Sequence, residues 1–523
     1  MSEEMSREER ARRLAYRRKR KIIFPISRIS FLVSLLLSVI FMIILINFGF
    51  IPKVIIIGVA VVLLLLNAFL GIIALMRKAS NSRKTMQIGI SAVLSVLLLL
   101  GCIVLPKYSG KIKKVLVPIP KEGEMNISVY TLKEKNLAEV SSLSGRRVGI
   151  QDKLDTEYQE FAIKVVNNEV SGHVTEVKCE GIYDAVDKLY AGTVDAIMLN
   201  ETYTELIEDN DDYKNFSNDT NKVYTVSQKK KLDYTLSDVD NILGETFVVG
   251  VIGNDSFKTE TLTKETGFRS DVNMAVVVDP VNYKVLIVTL PRDSYVPIDG
   301  VASQLDKLTH APYFKGINGW VKTLESYLNF KMNYFVKVNF VSMVSIVDAL
   351  GGVEINNPAE FSTQYVYDMT NKKYYPHTFE KGVLHLNGEE ALAFCRERKT
   401  LKNGDMGRNE HQIMMLKALV KKISSNAILE HIDDLLDSLS GMIMTNLSLG
   451  KLETIAQFEF TERPKWEIYS YAITGTPKSE HSWGTDRMLS MVILDDVKVS
   501  EARSLIQNAI AGNWDTVIAK TGN

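Results

Sequence analysis

Cysteine is scarce. Three residues in 523, Cys102, Cys179 and Cys395, cannot build a disulfide framework or a zinc cluster, so stability has to come from packed cores. Histidine is thin as well. The seven present form no metal-ligand motif, which argues against a metalloprotease or metal-dependent phosphatase. Glycine and proline are ordinary at 31 and 13, and 46% of residues are hydrophobic, which excludes a collagen-like or disordered chain. The most informative absence is of acid. Between Ile29 and Pro106 there is no Asp or Glu.

The formal net charge of zero, 62 Lys/Arg against 62 Asp/Glu, therefore hides a split. Residues 1–28 hold ten Lys/Arg and four Asp/Glu, whereas the chain from Lys107 onward holds 47 against 58. A basic head, an apolar middle and an acidic body do not make one soluble domain. Ile29–Phe48, Val54–Met76 and Met86–Leu105 are free of charge, and each has the roughly 20 residues a helix needs to cross a bilayer. A cleaved signal peptide is the competing reading; the first run is too long for it, and two more follow. The cations give the direction. Arg7 to Lys21 precede the first span, and Arg77, Lys78, Arg83 and Lys84 fill the loop between the second and third, while the loop between the first and second has only Lys53. Lys/Arg excess marks the cytoplasmic side. A multi-pass protein is expected, with a cytoplasmic amino terminus and a large extracellular carboxy-terminal part. The basic head lacks interleaved aromatics apart from Tyr16, so it reads as a topology signal touching anionic membrane lipid, and no nucleic-acid partner is expected.

The expected fold class is α/β: three amino-terminal transmembrane helices, an accessory α/β domain, then an α/β domain with a central sheet flanked by helices. The boundaries read from the sequence are 1–28 for the basic tail, 29–105 for the spans, 115–235 for the accessory domain and 240–523 for the last domain with its closing elements. In the accessory stretch, strand-like Asn126–Leu132, Arg147–Ile150, His173–Cys179 and Ala196–Leu199 alternate with helix-like Thr156–Asn167 and Ile182–Ala191, which argues for parallel strands. The wording LSGRRVGIQ and AVDKLYAGTVDAIMLNE resembles one lobe of periplasmic solute-binding proteins, but a two-lobed receptor needs more chain. A spacer or protein-interaction role is favoured over ligand sensing.

In the last domain, apolar strands at Phe247–Ile252, Met274–Val278 and Val285–Leu290 end in Gly-, Asp- and Arg-bearing turns, where open α/β sheets place ligand groups. Tyr334–Val338 reads as a further strand and Phe340–Leu350 as a helix closed by Gly351-Gly352. Two carboxylates, Asp255 and Asp271, and five guanidiniums, Arg269, Arg292, Arg396, Arg398 and Arg408, come from separate segments. Guanidinium forks match phosphate oxygens, and one or two carboxylates beside phosphates suit a magnesium ion, so the pattern points to a diphosphate site with Mg2+. Arg408 and Gln412 are four apart and share a helix face. Beyond this, Ile428–Met444 and Leu447–Phe458 read as helices, Trp466–Tyr471 and Val492–Leu494 as strands, Ala502–Ala511 as a helix and Pro477–Gly484 as a polar loop.

The segments GNDS, RSDVNMAVVVDP, VTLPRDSYV, KLTHAPYFKG, VNFVSMVSIVDALGGVEINNP, GVLHLNGEEALAFCRERK and GDMGRNEHQ stand in the order of the LytR-CpsA-Psr family of bacterial envelope proteins, which this chain resembles. Three spans and an extra outer domain resemble its CpsA/Wzg-like capsule subgroup. The resemblance implies an enzyme, a phosphotransferase-type transferase moving capsular polysaccharide or a related wall polymer from an undecaprenyl-pyrophosphate carrier to peptidoglycan. It implies Mg2+ on Asp255 and Asp271, and catalytic arginines at Arg292, Arg396, Arg398 and Arg408. Arg269, Gln412 and Lys258 are the implied substrate contacts. The implied partners are the polyprenyl-pyrophosphate glycan, the peptidoglycan acceptor, membrane lipid and other capsule-assembly membrane proteins. Two departures stand out: Phe257 and Lys258 follow the first aspartate where many members have Arg, and His411 precedes Gln412 where many have Arg. Phe340, Met343, Val344 and Val347 are candidates to line a slot for the polyprenyl tail. The rival class is a non-enzymatic membrane sensor or scaffold regulating envelope biosynthesis; a transcriptional regulator is disfavoured, since only the short head and one loop face the DNA.

Overall fold

The computed structural model describes residues 7–117, 119–120, 122–232, 234, 236–254, 267–368, 371, 373–423, 436–437 and 440–521. The chain divides into two compact units, Met1–Lys114 with Ser448–Arg463, and Val115–Leu447 with Pro464–Asn523.

The smaller unit is built on three helices, α1 (Arg7–Asn47), α2 (Lys53–Leu75) and α3 (Asn81–Val115), each long and apolar enough to cross a membrane. They overrun the apolar stretches seen in the sequence because their polar flanks remain helical. Most of their Leu, Ile and Val side chains point outward, and polar ones such as Ser34, Ser38, Asn67, Gln87 and Ser91 are buried. Ser27 Oγ donates to Gln87 Oε1 at 2.6 Å, and Asn67 Nδ2 donates to Ser38 Oγ at 2.9 Å. In hydrocarbon, helices are not driven together by apolar burial, so such interhelical hydrogen bonds and small residues hold them. The helix Leu449–Glu462 belongs to this unit, with Gln457 Nε2 donating to the carbonyl of Gly49 between α1 and α2.

The larger unit holds two main sheets. After β1 (Leu116–Val117), the first sheet comprises β2 (Glu122–Leu132), β3 (Arg147–Gln151), β4 (Thr175–Cys179), β5 (Ala196–Asn200) and β6 (Thr220–Lys231), in the order β4-β3-β5-β2-β6. β3 runs parallel to β4 and β5, whereas β2 is antiparallel to β5 and β6, so the sheet is mixed rather than parallel throughout. Its helices are α4 (Thr156–Glu169), α5 (Ile182–Tyr190) and the short α6 (Thr204–Glu208) and α7 (Phe216–Asp219). α5 buries Ile182, Tyr183, Ala185, Val186 and Leu189, the spacing of one helical face.

The second sheet has seven strands. β7 (Phe247–Asn254), β8 (Val272–Asp279) and β9 (Lys284–Leu290) form an antiparallel meander, followed by the small pair β10 (Tyr295–Pro297) and β11 (Leu305–Lys307). α8 (Ala311–Leu328) leads to β12 (Tyr334–Asn339), which lies parallel to β7, and to α9 (Phe340–Ala349). Asn339 starts α9 with a capping box, its side chain accepting from Ser342 N. Two side pairs follow, β13 (Val353–Asn357) with β16 (Gly382–Leu386), and β14 (Phe361–Asp368) with β15 (Lys373–Phe379). Then come α10 (Gly388–Arg396), α11 (Asp405–Ile423), β17 (Ile443–Thr445), β18 (Glu467–Ala472) and the hairpin β19 (Gly475–Ser482) with β20 (Arg487–Leu494). The sheet order is β1-β17-β12-β7-β8-β9-β18.

Successive strand residues alternate between faces. Val248, Ile252, Ala275, Val277, Leu286 and Val288 share the main core with Trp320 of α8 and with Leu505 and Ile506 of the helix Asp496–Ile510. The other parity, Met274, Val276, Val285 and Ile287, packs with Ile413 of α11 in a small cluster. Around it Val249, Val251, Val272, Val278, Trp466 and Ile468 are only partly buried. One face of the sheet is thus fully covered and the other incompletely.

Three expectations change. Ile443 and Met444, expected at the end of a helix, lie in the strand Ile443–Thr445, because β1 and β12 offer it ladder partners on both sides. The stretch expected as a polar loop from Pro477 forms β19, which reads as a loop because one side of the hairpin faces solvent. Val344 and Val347 are 6% and 0% exposed, and Val347 packs with Ala391 and Phe394; they are core, not slot lining.

Candidate functional site

The site forms where β8 and α11 begin and β9 ends. Asp271 sits just before β8, fixed by its backbone N–H donating to Gly253 O at 2.7 Å. Arg292 follows β9, and its Nη1 donates to Asp271 Oδ1. The next residue, Asp293, lies 3.8 Å from Arg292 Nε and 3.2 Å from Lys307 Nζ at the end of β11. Arg408, on the first turn of α11, pairs with Asp405, its Nη2 standing 2.9 Å from Oδ1 and 3.0 Å from Oδ2. Arg398 Nη1 reaches the same carboxylate at 4.0 Å.

These are buried ions, and their titration reflects it. Burial alone would lower Arg292, but Asp271 and Asp293 outweigh it and raise its pKa. Burial would raise Asp293, yet Lys307 and Arg292 hold it below the ordinary carboxylate range. Burial pulls Arg408 downward against Asp405, and Arg292 adds to the pull. Arg292 and Arg408 therefore repel one another across a site that also holds Asp271, Asp293 and Asp405.

Among the described residues, four polar atoms of this cluster are buried without a hydrogen-bond partner: Asp271 Oδ2, Arg292 Nε, Arg408 Nε and Asp405 Oδ1, the last held only by its ion pairs with Arg408 and Arg398. Leaving a buried donor or acceptor unmet costs about 1–3 kcal/mol each, more for charged groups. Orphaned donors on two guanidiniums and an orphaned carboxylate oxygen fit a ligand that presents both anionic oxygens and a hard cation. Among the described residues no group of three or more His, Cys, Asp or Glu could hold a metal alone. One free carboxylate oxygen accords with Mg2+, which takes few protein carboxylates and completes its shell with phosphate and water.

The remaining candidates are spread around this cluster. Gln412 is buried one turn beyond Arg408 on α11. Arg396 ends α10, and its guanidinium stacks 4.4 Å from the centroid of the Phe340 ring. Arg269, two residues before Asp271, reaches away to Asp209 after α6, at 2.8 Å. Asp255 and Lys258 lie outside the described residues. His411, which stands where an arginine was considered, is 6% exposed, stacks on Phe394 at 4.1 Å and directs Nδ1 at Phe394 O, so it supports the core. Burial lowers its pKa. Sequence reasoning missed Asp293, Lys307 and Asp405. The signal was present, since all three stand inside the quoted motifs, but they look like ordinary turn and helix-start residues.

On the incompletely covered face of the sheet, a cavity of about 350 Å3 opens between α11 and β18. Val420, Pro464, Trp466 and Ile468 line it, with Lys417, Lys421 and Lys465 at its polar margin.

An α/β protein with three apolar amino-terminal helices, whose sheet carries an Asp–Arg cluster, defines the class: a membrane-anchored α/β enzyme. The family model LytR_cpsA_psr matches residues 201–500, and the chain belongs to this LytR-CpsA-Psr family. A Bacillus anthracis relative is 33% identical over 242 residues, covering 46% of this chain and 74% of the relative. One from Enterococcus faecalis is 34% identical over 245 residues, covering 47% and 74%. Both are named polyisoprenyl-teichoic acid–peptidoglycan teichoic acid transferase TagU. The crystal structure of B. subtilis TagV aligns with a TM-score of 0.41 and 26% identity over 51% of this chain and 98% of that one.

Proposed function

We propose that this protein transfers a glycopolymer, capsular polysaccharide or a related wall polymer, from a polyprenyl-pyrophosphate carrier to peptidoglycan, with Mg2+ as cofactor. The observation that carries the reading is the trio of unmet buried polar atoms on Asp271, Arg292 and Arg408, beside an apolar sheet face left partly open. A diphosphate meets the first feature and an isoprenoid tail the second. The three apolar helices would hold the site at the outer leaflet, where the carrier is, with the amino terminus cytoplasmic.

In this reading Arg292 and Arg408 grip the non-bridging oxygens through their free Nε–H groups, and Asp271 offers Oδ2 to the ion, with Asp255 as the second carboxylate. Bound Mg2+ supplies neutralisation of charge on the diphosphate. Arg398 and Arg396 flank the entrance from the end of α10, with Gln412 lining the wall behind Arg408; Arg269 and Lys258 add further substrate contacts. A hydroxyl oxygen of the wall glycan attacks the polymer-proximal phosphorus. The phosphoanhydride bond breaks, polyprenyl phosphate leaves with the electron pair, and the hydroxyl proton passes to solvent. Positioning and electrostatic stabilisation by preorganised donors supply the rate.

The test uses the purified full chain in detergent with a polyprenyl-pyrophosphate glycan, Mg2+ and peptidoglycan. Release of polyprenyl phosphate together with polymer bound to the wall is expected, and chelation of the metal stops both. Wall attachment that proceeds at the same rate without a divalent cation removes Mg2+ from the mechanism. No release under any condition removes the transferase reading.

A further inference from the structure

The charged cluster does not account for the cavity between α11 and β18. All the residues that line it belong to the larger unit. Its volume of about 350 Å3 falls in the range of small-ligand sites. The apolar lining includes Val420, with Trp466 and Ile468 from the incompletely covered face of the sheet. Around it stand Lys417 and Lys421 of α11 and Lys465, two residues before β18. Lys417 and Lys421 lie four apart and share a helix face, a spacing at which like charges repel. The helix dipole favours a cation in the last turn, as at Lys421, but gives no reason for Lys417 or Lys465. Among the described residues, none of the three has a carboxylate within ion-pair distance. Burial lowers the pKa of Lys417, and no acid opposes it. Three cations without a counter-ion around an apolar floor fit an amphiphilic anion. A plain hydrocarbon has no use for the charges, and a soluble anion has no use for the floor.

Position along the chain separates this cavity from the diphosphate cluster and names the source of the ligand. Lys417 and Lys421 are nine and thirteen residues beyond Arg408 on α11, about 14 and 20 Å at a rise of about 1.5 Å per residue. Pro464, also in the lining, follows directly on Arg463, the last residue of the unit that carries the three apolar helices. The lining therefore begins one peptide bond from the membrane unit, and the amphiphilic anions nearest to hand are lipids of the membrane itself. We propose that the cavity binds an anionic phospholipid, with Lys417, Lys421 and Lys465 meeting the headgroup phosphate and Val420, Trp466 and Ile468 taking the first part of an acyl chain. The site is additional to the cluster around Asp271 and stands without the diphosphate reading. A phospholipid held there gives the larger unit a hold on the bilayer besides its covalent link to the helices.

The experiment titrates phosphatidylglycerol, brominated on its acyl chains, into the full chain in a maltoside detergent and reads tryptophan fluorescence, which bromine quenches on contact. Trp466→Phe gives the background from the other tryptophans. Saturable quenching of Trp466 is expected, with brominated phosphatidylcholine at least about tenfold weaker. Changing all three lysines to Gln is expected to weaken the apparent affinity about a hundredfold, since each lysine facing anionic lipid contributes about fivefold. Changing them to Arg keeps the charge and should hold affinity within about threefold. Equal quenching by the two lipids overturns the proposal, as does unchanged affinity in the Gln variant. Loss of binding in an Arg variant with parental circular dichroism overturns it too, because charge is then not what the site reads. Raised salt should weaken binding to the parent, a check that needs no variant, and insensitivity to salt counts against the proposal in the same way. A polyprenyl diphosphate that displaces the brominated lipid from the parent but not from Arg292→Ala also overturns it, since the cavity then holds the tail of a diphosphate bound at the charged cluster.

Discussion

In the five-stranded sheet, Glu201 after β5 accepts from Ser128 at 2.6 Å, Lys222 at 2.8 Å and Thr225 at 3.2 Å, and Arg147 closes on Asp195 at 3.4 Å. In the seven-stranded sheet, Asp271 and two arginines crowd together and still leave a carboxylate oxygen and two guanidinium N–H groups unmet. Both domains are α/β layers with helices on a mixed sheet. In the first, the buried side-chain atoms left unmet among the described residues are neutral amide atoms, as on Gln151. The other leaves full charges open. Evolution rarely tolerates unmet buried charge where folding is the only demand, so the two sheets differ in how far they satisfy their buried charge.

The largest expected effect lies in the open cluster. Arg292→Ala should cut polyprenyl phosphate release by about a hundred- to a thousandfold, the scale seen when one preorganised charge-stabilising donor is removed. Circular dichroism should show the fold retained; a variant with normal turnover would make the open charges merely structural. Next is the buried strut of the catalytic domain. Asp306 is 0% exposed and accepts from Ser482 Oγ and Gly484 N at 2.9 Å, with His310 Nδ1 at 2.8 Å. Asp306→Ala strips all three, and a loss of about 2–4 kcal/mol in urea unfolding is expected. Burial would raise the Asp306 carboxyl, but His310 and the backbone donors hold it below its ordinary value. Its stabilisation is therefore complete above about pH 3.9, the unperturbed value, and is lost as pH falls through the lowered folded value. Unfolding midpoints of parent and variant should converge at acid pH.

A smaller effect is expected on the half-covered sheet face. Val249→Thr with Val251→Thr should weaken a long polyprenyl diphosphate about three- to tenfold and leave a short isoprenyl diphosphate unchanged, since only apolar area is lost. Equal losses for both chain lengths would place the tail elsewhere. The smallest belongs to the closed network. Glu201→Gln should change stability by about 1 kcal/mol or less and leave transfer intact. A large loss of transfer there would blur the distinction between the two sheets.

Much of this was legible in the sequence. Charge-free runs of about 20 residues need no partner to be read as spans, because their length is set by the bilayer. The strands from Phe247 to Leu290 were legible because apolar runs ending in Gly, Asp and Arg mark strand ends. The reach of each side chain was not. Arg269 and Arg292 look equivalent as strand-end arginines, yet one turns to Asp209 and the other to Asp271. Local spacing does not specify which of two carboxylates far apart in the chain lies nearer. Asp293 and Asp405 escaped notice for the same reason: a turn aspartate and a first-turn helix aspartate have local roles that explain them fully.

The amino-acid sequence by itself determined the membrane helices, the α/β layering and the family, because these follow from periodicity, run length and ordered motifs carried by neighbouring residues. Only the tertiary structure decided which charges are left open, that His411, Val344 and Val347 serve the core, and that Arg269 turns to Asp209 of the accessory domain. Those outcomes depend on distances between segments remote in the chain, and such distances are fixed only once the sheets have paired and packed.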